Sequence, residues 1–262
     1  MNQILSNRSD EILVLTLNRP HRRNAVDRDT AQALYDAFKA FDADDTLCVA
    51  VLTGADGTFC AGADLQALSE GRGNVVGRDG DYGPMGPTRL RLRKPVIAAV
   101  EGHAVAGGLE LALWCDLRVA SETAVFGVFC RRFGVPMIDG GSIRLPRLIG
   151  QSRAMDLFLT GRPVKADEAH AIGLANRVVP QGQALRAALA LARDIAAFPQ
   201  TCLRNDRRSM LEQWGLGERD ALMNEVALGL ETIGTGETVA GATRFKDGEG
   251  RGGVFRKSSS EP

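Results

Sequence analysis

The chain has 262 residues, 44% of them hydrophobic and 24% charged, enough for one large domain or a domain with an appendage. Lysine plus arginine equals aspartate plus glutamate at 32 each, so no global basic field exists to attract nucleic acid or an anionic membrane. The five cysteines, Cys48, Cys60, Cys115, Cys130 and Cys202, are odd in number and lack CxxC spacing, which argues against a disulfide framework or a zinc site. That usage suits a reducing cytoplasm, the expected location. No run approaches the ~20 apolar residues of a membrane span, and residues 1–6 lack the charged start of a secretion signal.

Residues 11–17 read as a strand, which Asn18-Arg19-Pro20 ends because proline has no amide hydrogen for a ladder. After a loop, Asp27 or Asp29 can cap a helix reaching about residue 42, with Ala31, Leu34, Tyr35, Phe38 and Phe41 at helical spacing. Residues 48–53 form a second, continuous apolar strand, buried on both faces. Strand, helix, strand is the beginning of an α/β architecture. A turn then leads through Cys60-Ala61-Gly62-Ala63 into a helix capped by Asp64. Residues 71–87 are dense in glycine, with two prolines and little apolar content, and are the expected mobile loop.

Residues 96–100, bounded by Lys94-Pro95, are a short buried strand feeding the turn at Gly107-Gly108. Glycines there allow backbone angles that a Cβ forbids and let another group approach the main chain. The helix that follows, residues 109–115, is apolar on every side except for Glu110. An unpaired interior carboxylate costs several kcal/mol or holds its proton, so Glu110 needs a partner or a chemical role. As a structural group it would bond a neighbouring loop; as a functional one it would act as general acid or base.

Further on, residues 116–120 and 175–179 read as strands, and residues 140–148, 152–160 and 166–172 as helices. From residue 184 the pattern is helical only, with segments at 185–197, 204–214, 219–232 and 237–246. The expected division is a core over residues 1–195 and a helical, subunit-contacting region over residues 196–262. Its last stretch, residues 251–262, has a disordered composition.

Three pieces, Asn18-Arg19-Pro20 with Asn24-Ala25, Phe59 through Leu65, and Gly102-His103-Ala104 through Ala112, together resemble the enoyl-CoA hydratase/isomerase (crotonase) superfamily. The resemblance runs over nearly the whole chain. It implies a spiral of ββα units with C-terminal helices, and a lyase that hydrates a 2-enoyl-CoA through an enolate held by the amides of Ala63 and Gly107. Two fixed donors of this kind are commonly worth about 3–4 kcal/mol apiece. Glu110 would move a proton or orient water. Arg22, Arg23, Ala25, Ala61, Asp64 and Leu65 would line the coenzyme A channel, and Phe245 and Lys246 would meet the adenine. The thioester is then a substrate, with no cofactor or metal, no nucleic-acid or membrane partner, and a homotrimer or homohexamer as the assembly.

The sequence departs from that family at one place. Hydratases carry a second glutamate shortly after a Phe-Gly pair, and an ungapped count from Phe126-Gly127 puts Cys130 there. Cys130 precedes Arg131-Arg132, whose charges would lower a thiol pKa; the plainer reading is a small buried filler. Asp139 lies where some members place an additional carboxylate, and is equally suited to cap the next helix. Isomerisation or thioester hydrolysis, each needing one carboxylate, and an acyl-CoA-binding protein without chemistry are the alternatives to hydration. His103 reads as a hydrogen-bonded structural histidine.

Overall fold

The computed structural model describes residues 2–250, which fall into two compact units meeting between residues 192 and 193. The tail expected at residues 251–262 lies outside the described residues.

The first unit opens on a hairpin of β1 (Ile4–Ser9) and β2 (Ile12–Leu17), with Asp10 turning the chain at φ 53°. Aspartate tolerates that left-handed angle because its short side chain can bond locally. The first of these strands has no signal in the sequence pattern, since Leu5 to Arg8 is largely exposed. Then follow α1 (Arg28–Ala43), β3 (Val49–Gly54), α2 (Leu65–Ser69), β4 (Val96–Val100), β5 (His103–Val105) and α3 (Gly107–Trp114). The unit continues through β6 (Leu117–Ser121), β7 (Val125–Gly127), α4 (Gly141–Ile149), α5 (Gln151–Thr160), β8 (Val164–Lys165), α6 (Ala166–Ala171) and β9 (Arg177–Val179). Most of α7 (Ala184–Ala196) belongs to it as well.

The strands form two sheets. The larger has the order β1-β2-β3-β4-β6-β9, and every pairing after the hairpin is parallel. The smaller joins β5 parallel to β7 and β7 antiparallel to β8. Each turn of the chain thus contributes a strand to one sheet, a short strand or bridge beside the other, and a helix, which is the expected ββα spiral. β3 and β4 are buried along their lengths, as continuous apolar runs in a covered parallel sheet should be.

α1 shows how local sequence sets these elements. Asp27 accepts a hydrogen bond from the Thr30 amide at 2.9 Å, satisfying one donor of the first turn. Leu34, Phe38 and Phe41 recur on one face and are buried against the sheet. At the far end the buried Lys94 ammonium donates to the Phe41 and Asp44 carbonyls at 2.8 and 2.6 Å, placing a cation on the negative end of the helix.

The second unit contains α8 (Gln200–Glu212), α9 (Glu218–Gly234) and α10 (Glu237–Lys246). Glu237 caps α8 by accepting the Thr201 and Cys202 amides at 3.0 and 2.9 Å. Asn205 ties α8 to α9 through the Leu228 carbonyl and the Thr232 hydroxyl. No helix of the described residues is long and apolar enough to cross a membrane.

Candidate active site

Two strand-to-helix turns converge in the first unit. Cys60 bridges Ala104 beside β5, and Val26 bridges Ala63, so residues 60–64 are held between two neighbouring backbones. The Val26 amide donates to the Gly62 carbonyl at 2.8 Å and the Asp64 amide to the Val26 carbonyl at 3.0 Å. The Ala63 amide, between them, takes no part in that pairing. Gly62 has φ 99°, and a Cβ built on it would lie 2.9 Å from the Gly107 nitrogen. The chain just before Ala63 therefore sits against the amide that begins α3. Among the described residues, neither the Ala63 nor the Gly107 amide donates a hydrogen bond.

Gly107 and Gly108 are required for room and not for their backbone angles, which corrects half of the sequence reading. Neither has a positive φ; Ala106 does, at φ 54° and ψ −126°. A non-glycine residue in so sparse a region costs on the order of 1–3 kcal/mol. A Cβ on Gly108 would meet the Cys60 carbonyl oxygen at 2.1 Å, and one on Gly107 would meet the Met85 sulfur at 2.6 Å.

Glu110, one turn into α3, is 2% exposed. Its Oε1 accepts the Asp139 amide at 2.9 Å and the Gly141 amide at 2.8 Å, while Oε2 takes no hydrogen bond from the described residues. Burial, followed by the nearby charge of Asp139, pushes its pKa up to about 7 against the pull of those amides. The carboxyl is thus poised to give or take a proton near neutrality.

Asp139 is itself buried, and it caps no helix. Gly140, at φ 94°, occupies the N-cap of α4 without a side-chain bond. The Asp139 Oδ1 instead accepts the Met85 amide at 2.9 Å and the Thr88 hydroxyl. Burial raises its pKa, opposed by those two donors and by Arg89 and Arg144. Asp139 therefore pins the end of the glycine-rich segment expected to be mobile, and Met85 and Thr88 are fully buried. The same segment is fastened further back, where Asn74 donates to the Val26 and Pro84 carbonyls.

Cys130 is buried in the 3-10 turn Phe129–Phe133. The lowering that the adjacent arginines could bring does not prevail: burial first, then the charge of Glu110, push the thiol up. The flanking arginines face elsewhere, Arg131 donating to the Phe158 carbonyl and Arg132 to that of Gly161. The Glu110 charge is the second cause of that rise.

Beside the Ala63 turn, the Ala61 amide donates to the Arg23 carbonyl at 3.1 Å, so residues 23–26 and 61–64 run side by side. Arg22 and Arg23 are exposed, Arg22 bonding Gln66, and Leu65 is exposed while Ala25 is buried. The Asp64 carboxylate is committed to the protein. It accepts the Gln66 and Ala67 amides at 3.1 Å each and pairs with Arg19 at 2.9 Å. Arg19 also pairs with Asp27 at 2.8 Å. The buried Asn24 accepts from the Arg19 amide and donates to the Ala55 and Thr58 carbonyls. Local sequence patterns assign no partner to Arg19, Asn24, Met85, Thr88 or Arg144, because most of their partners lie far along the chain; Arg19 and Asn24 stand out only within the motif Asn18-Arg19-Pro20 with Asn24-Ala25. His103, expected to be hydrogen-bonded, is exposed, and no side-chain bond from it is found among the described residues. Phe245 and Lys246 lie on α10 in the helical unit. No cluster of three or more His, Cys, Asp and Glu among the described residues is arranged to hold a metal ion.

A parallel-stranded ββα spiral with a glycine turn before α3 and a helical C-terminal unit is the crotonase fold, a class of acyl-CoA enzymes. The enoyl-CoA hydratase/isomerase family model matches residues 7–251. EchA19, an enoyl-CoA hydratase of Mycobacterium tuberculosis, is 37% identical over 247 residues, 93% of each chain. The crystal structure of the enoyl-CoA hydratase EchA1 from Mycobacterium marinum superimposes with a TM-score of 0.89 at 38% identity, covering 94% of this chain and 96% of that one. A carnitinyl-CoA dehydratase from Mycobacterium avium is similar at TM-score 0.76 and 36% identity, over 88% and 89% of the two chains. The protein belongs to the enoyl-CoA hydratase/isomerase family.

Proposed function

We propose that the protein adds water across the C2=C3 bond of a 2-enoyl-CoA. The observation that carries this reading is Glu110, an interior carboxyl gripped through one oxygen by two amides and brought to a pKa of about 7 beside two unused amide donors. In the proposed reaction the Ala63 and Gly107 amides take the thioester oxygen. Water attacks C3 and gives its proton to one carboxylate; the electrons of the double bond move to that oxygen; C2 then takes a proton from the other carboxyl group. Asp139, a buried carboxyl whose own amide bonds Glu110, is the proposed second member in place of the glutamate that Cys130 replaces. The amides would hold the enolate's charge as fixed donors that need no reorganisation as it develops.

Arg22 and Arg23, with the backbone at Ala25, Ala61, Asp64 and Leu65, are proposed to line the coenzyme A channel. An aromatic face and a cation suit an adenine and its phosphates, which is the role proposed for Phe245 and Lys246. The thioester is the substrate and no cofactor takes part. Exposed Met210, Leu211, Leu222, Met223, Val226 and Leu230 on α8 and α9 favour a covered face, hence a homotrimer or homohexamer, which sedimentation would measure. Free cysteines favour the cytoplasm.

The deciding experiment follows short- and medium-chain 2-enoyl-CoAs for both water addition and bond migration. Water addition that is lost in Glu110→Gln is the expected result. Migration without hydration, or undiminished hydration in that variant, would sink the proposal.

A further inference from the structure

Arg144 stands behind the two carboxyl groups, on the first turn of α4. Its guanidinium donates to the Asp139 carbonyl at 2.8 Å and to the Thr88 carbonyl at 2.6 Å. To reach them it folds back over Gly140, where a Cβ would lie 2.3 Å from Nη1. Among the described residues no carboxylate forms an ion pair with it, although it is half-buried. A guanidinium placed in such a position loses solvation without a contacting counter-ion, and burial accordingly lowers its own pKa. A neutral side chain would bond two carbonyls at less cost. The charge therefore needs an explanation.

The connections supply one. The Thr88 hydroxyl and the Met85 amide meet the Asp139 side chain, the Asp139 amide meets Glu110, and Met85 packs its sulfur against Gly107. Tying residue 88 to residue 139 thus fixes the acid side of the site to the side carrying the Gly107 amide. We propose that Arg144 is a positioning residue, a charged clamp that locks these two segments together and sets the field in which Glu110 and Asp139 exchange protons. The inference rests on the proposed hydration. The charged and titratable groups that act on this cluster are few: Arg144 acts on both carboxyl groups, Arg89 on Asp139, Glu110 on Cys130, and Cys115 and Arg147 on Arg144.

Arg144 pulls the pKa values of both carboxyl groups down, so its removal raises them. A base works as the carboxylate, which places its titration on the acidic limb of the rate profile. The test is kcat/KM for a short-chain 2-enoyl-CoA against pH in the full chain carrying Arg144→Gln or Arg144→Lys. Arg144→Gln should move the acidic limb up by about 0.5–1 pH unit and lower kcat. Arg144→Lys keeps the charge but not the planar fork, so the limb should stay while kcat falls about tenfold with KM little changed. An unmoved limb in Arg144→Gln, with activity still lost in Glu110→Gln, overturns this inference alone. Hydration undiminished in Glu110→Gln overturns both readings. Should Arg144→Gln not fold, Arg144→Lys decides: a moved limb or a wild-type kcat overturns the clamp.

Discussion

Asp64 and Glu110 sit at the entries of two helices reached through neighbouring glycine turns, and each accepts two backbone amides on a single carboxylate oxygen. Their fates differ. Burial raises the Asp64 pKa, but the Ala67 amide and the touching Arg19 outweigh it and hold the group below the usual carboxylate range. Glu110 has the same number of amides, deeper burial, a like charge nearby and no ion pair among the described residues, and is pushed up to about 7. Amides alone thus do not decide whether an interior carboxylate is scaffold or reagent. The depth of burial and the placement of the counter-ion do.

The largest effect expected from breaking this contrast is on rate. Glu110→Gln should lower kcat/KM for 2-enoyl-CoA hydration by about 10²–10⁴ while circular dichroism shows an unchanged fold. The converse change, Arg19→Met, leaves Asp27 and Asp64 facing each other without their cation. It should cost about 3–5 kcal/mol in urea unfolding.

The two carboxylates should also pull stability in opposite directions with pH. Asp64 binds its proton less readily folded than unfolded, so its contribution is present above about pH 4 and is lost as the pH falls through its folded value. Glu110 binds its proton more readily when folded, so its contribution is full below about pH 4 and fades as the pH rises towards 7. Unfolding at pH 8 should therefore find Glu110→Gln at least as stable as the native protein, and the gap should close at pH 4.5. Gly108→Ala, which drives a methyl into the Cys60 carbonyl, should destabilise by about 1–3 kcal/mol. The smallest effect belongs to Cys130→Ala. Its thiol is pushed up and away from reactivity, so kcat/KM should change by less than about threefold, and a loss beyond about tenfold would assign the sulfur a chemical part.

The Asp64 turn was largely legible in the sequence and the Glu110 site only half so. A cap needs donors two and three residues on, and Asp27 and Asp64 both bond where that local rule puts them. The apolar surroundings of Glu110 likewise gave away an interior carboxyl, but not its partners, the amides of residues 139 and 141. Asp139 could not be told from a helix cap, because what draws it inward is a hydroxyl at residue 88 and an amide at residue 85. The Arg19 pairing spans 45 residues. The glycines at 107 and 108 announced a special backbone, yet what they provide is space beside Cys60 and Met85, and the unusual angles fall on Ala106. A three-residue strand such as β5 carries too few side chains to show any period.

Glu110 is held by one oxygen only, and that has a stereochemical consequence. A carboxyl fastened in this way offers its free oxygen, Oε2, from one position, so a proton it delivers would reach a substrate seated on the Ala63 and Gly107 amides from one side. Where Glu110 is the group that protonates C2, hydration run in deuterium oxide would then mark a single prochiral position of the product.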